Sequence, residues 1–79
     1  MRKLNKIYNN LYEMQGGTLR IYFSYETPIA FVSSSGKAYI AKNIWSRTTG
    51  KHLNMVKNIV SDPEEIDFEE LLRIIKLYI

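Results

Sequence analysis

Hydrophobic and polar positions follow two different periods along the chain. Within residues 2–15, apolar side chains fall at i, i+3, i+4 and i+7, namely at Leu4, Ile7, Tyr8 and Leu11. This is the spacing of one helix face. Gly16 and Gly17 follow, and glycine readily takes the left-handed geometry that ends a helix. The pattern predicts a short amphipathic helix over residues 2–15.

From Thr18 the period changes to two, which is typical of a half-buried strand and predicts one up to Tyr25. Thr27-Pro28 then interrupts the pattern, because proline has no amide proton to donate to a neighbouring strand. Residues 29–32 and 37–42 read as two further strands with a turn between them. Three short strands with tight links predict an antiparallel meander.

Helical spacing returns in the last part of the chain. Residues 49–60 repeat apolar positions around Leu53 and Val56, and residues 68–78 do so after Asp67, which is placed as an N-cap with Glu70 in a capping box. The segment Asp62-Pro63-Glu64-Glu65 is a competing start for this last helix. The predicted class is α+β, as one domain over 1–79. It consists of an N-terminal helix, a three-stranded antiparallel sheet and two C-terminal helices, with the helices on one sheet face and the other face or an edge strand open.

Composition agrees with one small packed domain and excludes several chemistries. The chain has 79 residues, 46% of them hydrophobic, with no cysteine and one histidine. It therefore has no disulfide framework, and a zinc site is nearly excluded. No apolar run resembles a signal peptide or a membrane span. We expect a cytoplasmic protein with no metal, cofactor or membrane partner.

Charge is distributed unevenly around the net +3. Residues 1–60 hold nine Lys or Arg and two Glu, which gives +7, and residues 61–79 hold two Lys or Arg and six Asp or Glu, which gives −4. The basic part could bind nucleic acid, or the two parts could face each other in the fold. The second explanation is favoured, because solvated charged faces are common.

The stretch WSRTTGKHLN, residues 45–54, gathers the only tryptophan and the only histidine with hydroxyls, a glycine and two cations. Gly50-Lys51 does not fit a phosphate-binding loop, which needs glycine at the position of Trp45 and a hydroxyl at that of His52. Catalysis would pair His52 with a nearby hydroxyl and an acid. The hydroxyl candidates are Ser46, Thr48 and Thr49. Only Glu26 or Asp67 could supply the acid through the fold, so we do not expect an enzyme.

Two binding surfaces are also indicated. Thr48 or Thr49 would cap the helix that starts here, and its free amides beside Arg47 and Lys51 would suit an anion. Ordinary capping explains the threonines without a ligand and is preferred. On the predicted sheet, the alternation puts Arg20 and Tyr22 together on the face that the helices leave open. Tyr39, with Lys37 or Lys42, could lie near them, which would make a stacking and cationic surface for single-stranded nucleic acid. Alternatively, these tyrosines could cover the sheet under a helix.

The segments SYETPIAF, residues 24–31, and WSRTTGKHLN resemble a family of small phage-encoded proteins of unknown function. The resemblance covers about residues 19–56 and a terminal helix at 68–72, and it does not include residues 2–15. It implies a non-enzymatic phage or mobile-element protein that binds a bacterial host protein or ribonucleoprotein, as anti-CRISPR and other defence inhibitors do. The alternative is direct nucleic-acid binding. The candidate binding residues are Arg20, Tyr22, Tyr39, Trp45, Arg47, Thr48, Lys51 and His52.

Overall fold

The computed structural model describes residues 2–45 and 47–78 and shows a six-stranded mixed sheet with two helices. The strands are β1 (Arg2–Tyr8), β2 (Leu11–Gly16), β3 (Leu19–Ser24), β4 (Thr27–Val32), β5 (Ala38–Ala41) and β6 (Glu64–Ile66). The helices are α1 (Arg47–Ile59) and α2 (Phe68–Tyr78). Strand order in the sheet is the chain order. The predicted three-stranded sheet with an N-terminal helix is therefore wrong.

The N-terminal segment forms a β-hairpin instead of the predicted helix. β1 pairs antiparallel with β2, and β2 pairs antiparallel with β3. The links are tight turns, in which Asn10 and Gly17 have positive φ of 62°. Asparagine and glycine are the residues that tolerate this conformation best. Gly16-Gly17 thus marks a hairpin turn rather than a helix end, and the sheet supplies the hydrogen bonds that a helix would have made internally.

The sheet has one core on each face. A bulge between Tyr22 and Phe23 of β3 leaves Ile29 of β4 as the extra residue, so that Ile29 and Ala30 both join the core under α1. Ile21 and Phe31 are directly paired and lie in the other core, under α2. Both faces of β4 and β5 are thereby covered. The helices lie on opposite faces, which corrects the expectation that they share one.

The β5–α1–β6 segment is a crossover, because β6 pairs in parallel with β5. A parallel pair needs a long connection, and here α1 provides it across one face of the sheet. Trp45 stands just before α1 and packs against both cores, with its ring edge-on to Phe68 at 5.0 Å between centroids. Trp45 thus contacts the cores on both faces of the sheet and links α1 to α2.

Ion pairs join the basic and acidic parts of the chain. They link Lys37 to Glu64, Lys57 to Glu65 and Lys42 to Asp67 at 3.5, 3.8 and 3.6 Å. Each pair is exposed, so each contributes about 1 kcal/mol or less. The acidic segment therefore faces three lysines from 1–60, and within the described residues no carboxylate pairs with Arg47 or Lys51. Among the described residues, no helix is long and apolar enough to span a membrane.

Candidate functional site

The structure does not bring the eight candidate binding residues into one surface. Arg20 and Tyr22 lie on the α1 side of β3, whereas Tyr39 is paired with Phe31 on the α2 side. Tyr22 is 0% exposed, and it cannot stack on a base. The predicted Arg20–Tyr22–Tyr39 surface does not form, because the sheet has helices on both faces where one open face was expected.

The candidate residues at the start of α1 lie close together in the chain but differ in exposure. Arg47, Thr48 and Lys51 are exposed, Trp45 is half-buried and His52 is buried. Thr48 and Thr49 lie inside the first turn of α1, which begins at Arg47, so neither is the N-cap that the sequence suggested. The position that precedes the helix is Ser46, which lies outside the described residues. Only the exposed part of this entry is available to a partner.

His52 is the centre of a polar cluster that we call the Ser24–His52 cluster, made of the buried residues Ser24, Thr49 and His52 and the backbone oxygen of the exposed residue Asn9. The Ser24 Oγ lies 2.7 Å from His52 Nδ1 and 3.3 Å from Thr49 Oγ1. The His52 Nε2 lies 3.0 Å from the backbone oxygen of Asn9. Ser24 and His52 are 2% and 1% exposed. The cluster therefore ties the β1–β2 turn, the end of β3 and α1 together.

One assignment of donors and acceptors fits these contacts when the His52 ring is neutral. A carbonyl oxygen only accepts, so Nε2–H of His52 donates to Asn9. In the neutral ring Nδ1 then accepts, and the Ser24 hydroxyl donates to it. The remaining contact has the Thr49 hydroxyl donating to Ser24 Oγ. Every polar atom of the His52 ring thus has a partner, which is how a buried histidine is held without a charge beside it.

A serine within hydrogen-bond distance of a histidine is also the pairing of a nucleophile with its base. In this protein the second ring nitrogen meets a backbone carbonyl and not a carboxylate. Asp67 pairs with Lys42, and Glu26 is exposed on the β3–β4 turn. A substrate could reach Ser24 Oγ only if α1 or that turn moved. The arrangement is suited to holding three segments in place, and we assign it that structural role.

Two tyrosines flank the outer side of this cluster. The Lys51 Nζ lies 5.7 Å from the ring centroid of Tyr8, and the Tyr25 ring centroid lies 6.1 Å from that of His52. Tyr8 and Tyr25 are 43% and 50% exposed. Tyr25 has a positive φ of 58°, which is rare for a bulky residue, and its amide donates to the Asn10 oxygen at 2.7 Å. The turns thus present two aromatic rings beside the ammonium group of Lys51, which forms no ion pair with any residue that the structure describes.

A basic cleft of about 420 Å³ adjoins this surface, between α1 and the end of β5. Its lining combines cations with amides and one carboxylate, chiefly Arg47, Lys51, Lys57, Asn43, Asn54 and Glu65. Gly50 also lines it, and a Cβ there would come within 2.8 Å of the Asn43 amide nitrogen. Asn43 in turn accepts a hydrogen bond from the Trp45 amide at 3.1 Å. The absence of a side chain at Gly50 lets Asn43 close one wall.

Asn9, Ser24 and the tyrosines Tyr8 and Tyr25 were not among the predicted site residues. Only Ser24-Tyr25 had a signal, since it begins the segment that carried the family resemblance. Among the described residues, no three histidine or carboxylate groups come together as a metal site would require.

The exposed cations and tyrosines described above form the candidate site. It consists of Arg47, Lys51, Lys57, Tyr8 and Tyr25, and we call it the α1 surface.

Burial also changes the chemistry of Tyr22, which is a supporting residue of the sheet. Desolvation raises the pKa of Tyr22 to about 12, and the hydrogen bond that its hydroxyl donates to Glu13 Oε2 at 2.7 Å adds to the effect. The folded pKa exceeds the unfolded value near 10. The stabilising contribution of this group is therefore complete below about pH 10 and is lost as the pH rises towards 12.

We accordingly expect Tyr22→Phe to flatten the alkaline decline of stability. Between about pH 10 and 12, the free energy of unfolding of the original protein should fall faster than that of the variant. The difference in slope should be up to about 1.4 kcal/mol per pH unit. Urea denaturation at pH 8, 10 and 11 measures it, and the difference between the two proteins removes the shared titration of lysines. Parallel pH profiles for the two proteins would contradict the assignment.

Comparison with known proteins identifies a family for which no activity is described. A model described as a family of unknown function (DUF8033) matches residues 2–70. No curated protein and no solved structure matches the chain. The expectation of an unknown-function family is confirmed, and the match also includes the N-terminal residues that the sequence resemblance left out. Phage origin stays a prediction.

Proposed function

Because the chain belongs to the DUF8033 family, whose description carries no activity, we propose its function from its surface: a non-catalytic protein that binds single-stranded nucleic acid through the α1 surface. The observation that carries the proposal is the charge of α1. Its thirteen residues, RTTGKHLNMVKNI, contain three cations and no acid. A polyanion is the ligand class that such a helix favours.

Position on the helix supports this proposal. Arg47 and Lys51 are one turn apart, and Asn54 and Asn58 continue the same side at i+7 and i+11. All four are exposed. Neither Arg47 nor Lys51 forms an ion pair within the described part of the chain, whereas Lys57 pairs with Glu65. The row extends about 16 Å at 1.5 Å per residue, long enough to contact successive phosphates of one strand.

The neighbouring tyrosines favour a single strand over a duplex. Bases of a single strand can stack on exposed aromatic rings, and each stacked base contributes about 1–3 kcal/mol. Tyr8 lies beside Lys51, and Tyr25 lies at the adjoining turn, so cations and rings occur side by side. A duplex would offer phosphates to Arg47 and Lys51 but no free base faces to the rings.

The proposal also includes a phage origin and a bacterial host in which the protein acts. The resemblance of residues 24–31 and 45–54 to phage-encoded proteins implies action inside a bacterial host, by stoichiometric binding to a host protein or ribonucleoprotein. A host ribonucleoprotein, including the guide complex of a defence system, contains the single-stranded nucleic acid that the α1 surface suits. We therefore propose the nucleic-acid component as the contact and defence inhibition as the consequence.

Salt dependence tests the binding. With three cations neutralising phosphates, log affinity should fall with log salt at a slope of about −2, because single strands give about −0.7 per phosphate. Affinity for a labelled twelve-nucleotide single strand should then drop roughly 20-fold between 50 and 200 mM salt. Fluorescence anisotropy measures this, with a duplex of the same sequence as the comparison.

Two outcomes would remove the proposal. One is the absence of any anisotropy change at 100 μM protein in 50 mM salt. The other is equal affinity at the two salt concentrations, since a phosphate-based contact must release counterions. Tighter binding to the duplex than to the single strand would reject the role of Tyr8 and Tyr25 while leaving that of the cations.

A further inference from the structure

The α2 side of the sheet is covered only in part. A row of directly paired residues crosses it from β1 to β5, in the order Leu4, Met14, Ile21, Phe31 and Tyr39. Exposure rises towards the β1 edge: Phe31 and Ile21 are buried, Met14 is half-buried and Leu4 is 63% exposed. Helix α2 packs on β4 and β5, so the apolar row continues beyond the helix that should cover it.

The uncovered part is a shallow apolar depression that we call the β1–β3 patch. It is lined by Leu4, Tyr12, Met14, Phe23, Tyr25 and Glu26. On the opposite face of the same strands, the outer positions are polar, with Asn5 paired to Glu13 and Gln15 paired to Arg20, while Leu11 and Tyr22 join the core under α1. An antiparallel strand pair with one polar and one apolar face normally buries the apolar one. The patch is small, within the range that a monomer can expose, so its apolar character alone does not identify a partner.

We propose that the β1–β3 patch is where a second copy of this chain docks, face to face about a two-fold axis. The argument is charge complementarity. Lys6 is exposed and paired with Tyr12, which puts it on the patch side, and Glu26 lines the patch itself. Among the side chains that the structure describes on this side of β1–β3, Lys6 supplies a cation and Glu26 an anion. In a two-fold arrangement Lys6 of each copy can meet Glu26 of the other.

Edge pairing between two β1 strands is the less favourable route to a dimer. β1 is an edge strand of the sheet, contains no acid and carries the exposed Lys6. Lysines on an edge strand oppose the approach of a like-charged edge. Face-to-face packing avoids this opposition, and it buries the apolar side chains that edge pairing would leave in water.

The size of the patch sets the strength of the contact. Three strands of about six residues cover roughly 20 by 14 Å, or about 280 Å² of sheet surface. A stable complex buries about 800 Å² per partner. The dimer should therefore be weak, with a dissociation constant of tens to hundreds of micromolar, and it should show as a concentration-dependent equilibrium rather than as a fixed oligomer.

Sedimentation velocity from 10 μM to 1 mM in 150 mM salt tests the dimer. The weight-average mass should rise from that of the 9.3 kDa monomer towards twice that value. Leu4→Glu should weaken self-association at least 10-fold, because it would place a carboxylate in the apolar contact. Leu4 is mostly exposed, so the variant should stay folded. Gln15→Glu, on the opposite face of the same hairpin, is the matched control and should dimerise unchanged.

A charge swap identifies the partner as a second copy. Lys6→Glu alone should weaken the dimer about 3- to 10-fold, since like charges would then oppose each other across the axis, and Lys6→Glu combined with Glu26→Lys should restore it. A mass that stays monomeric up to 1 mM overturns the proposal. So does a dimer that Leu4→Glu leaves unchanged, because its interface would then lie elsewhere.

Discussion

Replacing His52 by alanine should lower the free energy of unfolding by about 3–5 kcal/mol. The ring is 1% exposed, and its removal leaves a cavity between α1 and the turns. It also leaves the Ser24 hydroxyl and the Asn9 carbonyl without the partners they have at 2.7 and 3.0 Å. The buried Ser24 hydroxyl costs about 1–3 kcal/mol when it loses its partner, whereas the carbonyl of the exposed residue Asn9 can bond to water instead. For a domain of this size the loss is a large part of the total stability, which is about 4–12 kcal/mol.

Urea denaturation followed by the fluorescence of Trp45 measures the effect, because Trp45 is the only tryptophan and packs against both cores. Ser24→Ala should cost less, about 1–2 kcal/mol, since it removes one partner and creates little space. Lys51→Ala is the control: it changes the neighbouring exposed residue of the same helix, and it should shift stability by less than about 0.5 kcal/mol.

A double-mutant cycle separates a shared hydrogen bond from independent losses. Ser24→Ala and His52→Ala together should cost less than the sum of the single variants, with a coupling of about 1 kcal/mol or more, because both remove the same contact. Strict additivity, or a His52→Ala variant within 1 kcal/mol of the original protein, would show that the Ser24–His52 cluster does not hold the three segments together.

Reversing the charge at Arg47 and Lys51 should reduce affinity for a single strand about 100-fold at 50 mM salt. Each cation that meets a phosphate contributes about 1.4 kcal/mol or more, and that amount corresponds to a tenfold change in binding. Arg47→Glu/Lys51→Glu should also flatten the salt dependence, since two of the three α1 cations would be gone. Anisotropy titrations at several salt concentrations give both quantities.

Unfolding would not explain such a loss. Both positions are exposed and lie in the first five residues of α1, where a carboxylate interacts favourably with the helix dipole. The variant should therefore be as stable as the original protein in urea. Lys76→Glu is the matched control for a single reversal, because it is an exposed lysine on α2, across the sheet. It should change affinity less than 3-fold, whereas Lys51→Glu should lower it about 10-fold. Equal losses at the two sites would indicate only a nonspecific response to net charge.

Regions with an unambiguous local pattern were readable from the sequence. Strands β3 and β5 lie within the predicted strands, whereas β4 begins at Thr27, two residues before the predicted start, so Thr27-Pro28 is part of the strand and not a break. Helices α1 and α2 begin and end within a few residues of the helical periodicity. The exposed cations Arg47 and Lys51 were also identifiable, because no acid stands near them in the chain.

Residues 2–16 show where local pattern was insufficient. Their apolar spacing fits a helix, but Asn10 and Gly17 permit two tight turns, and β3 offers a strand edge for β2 to pair with. The hydrogen bonds of that pairing join residues that the helical alternative would keep apart. Local periodicity carries no information about pairing with another strand, and tertiary context commonly overrides such patterns.

The sequence by itself determined the central meander, the two amphipathic helices and the separation of basic from acidic residues, because each depends on neighbours within a few positions. Only the tertiary structure decided that the N-terminal segment is a hairpin, that α1 and α2 cover opposite faces, and that Tyr22 is buried while Tyr8 and Tyr25 are exposed. The same holds for WSRTTGKHLN. Its histidine is held by Ser24 and Asn9, which are 28 and 43 positions away, while its cations stay in solvent. Burial is set by contacts between distant segments, and only the folded chain brings these together.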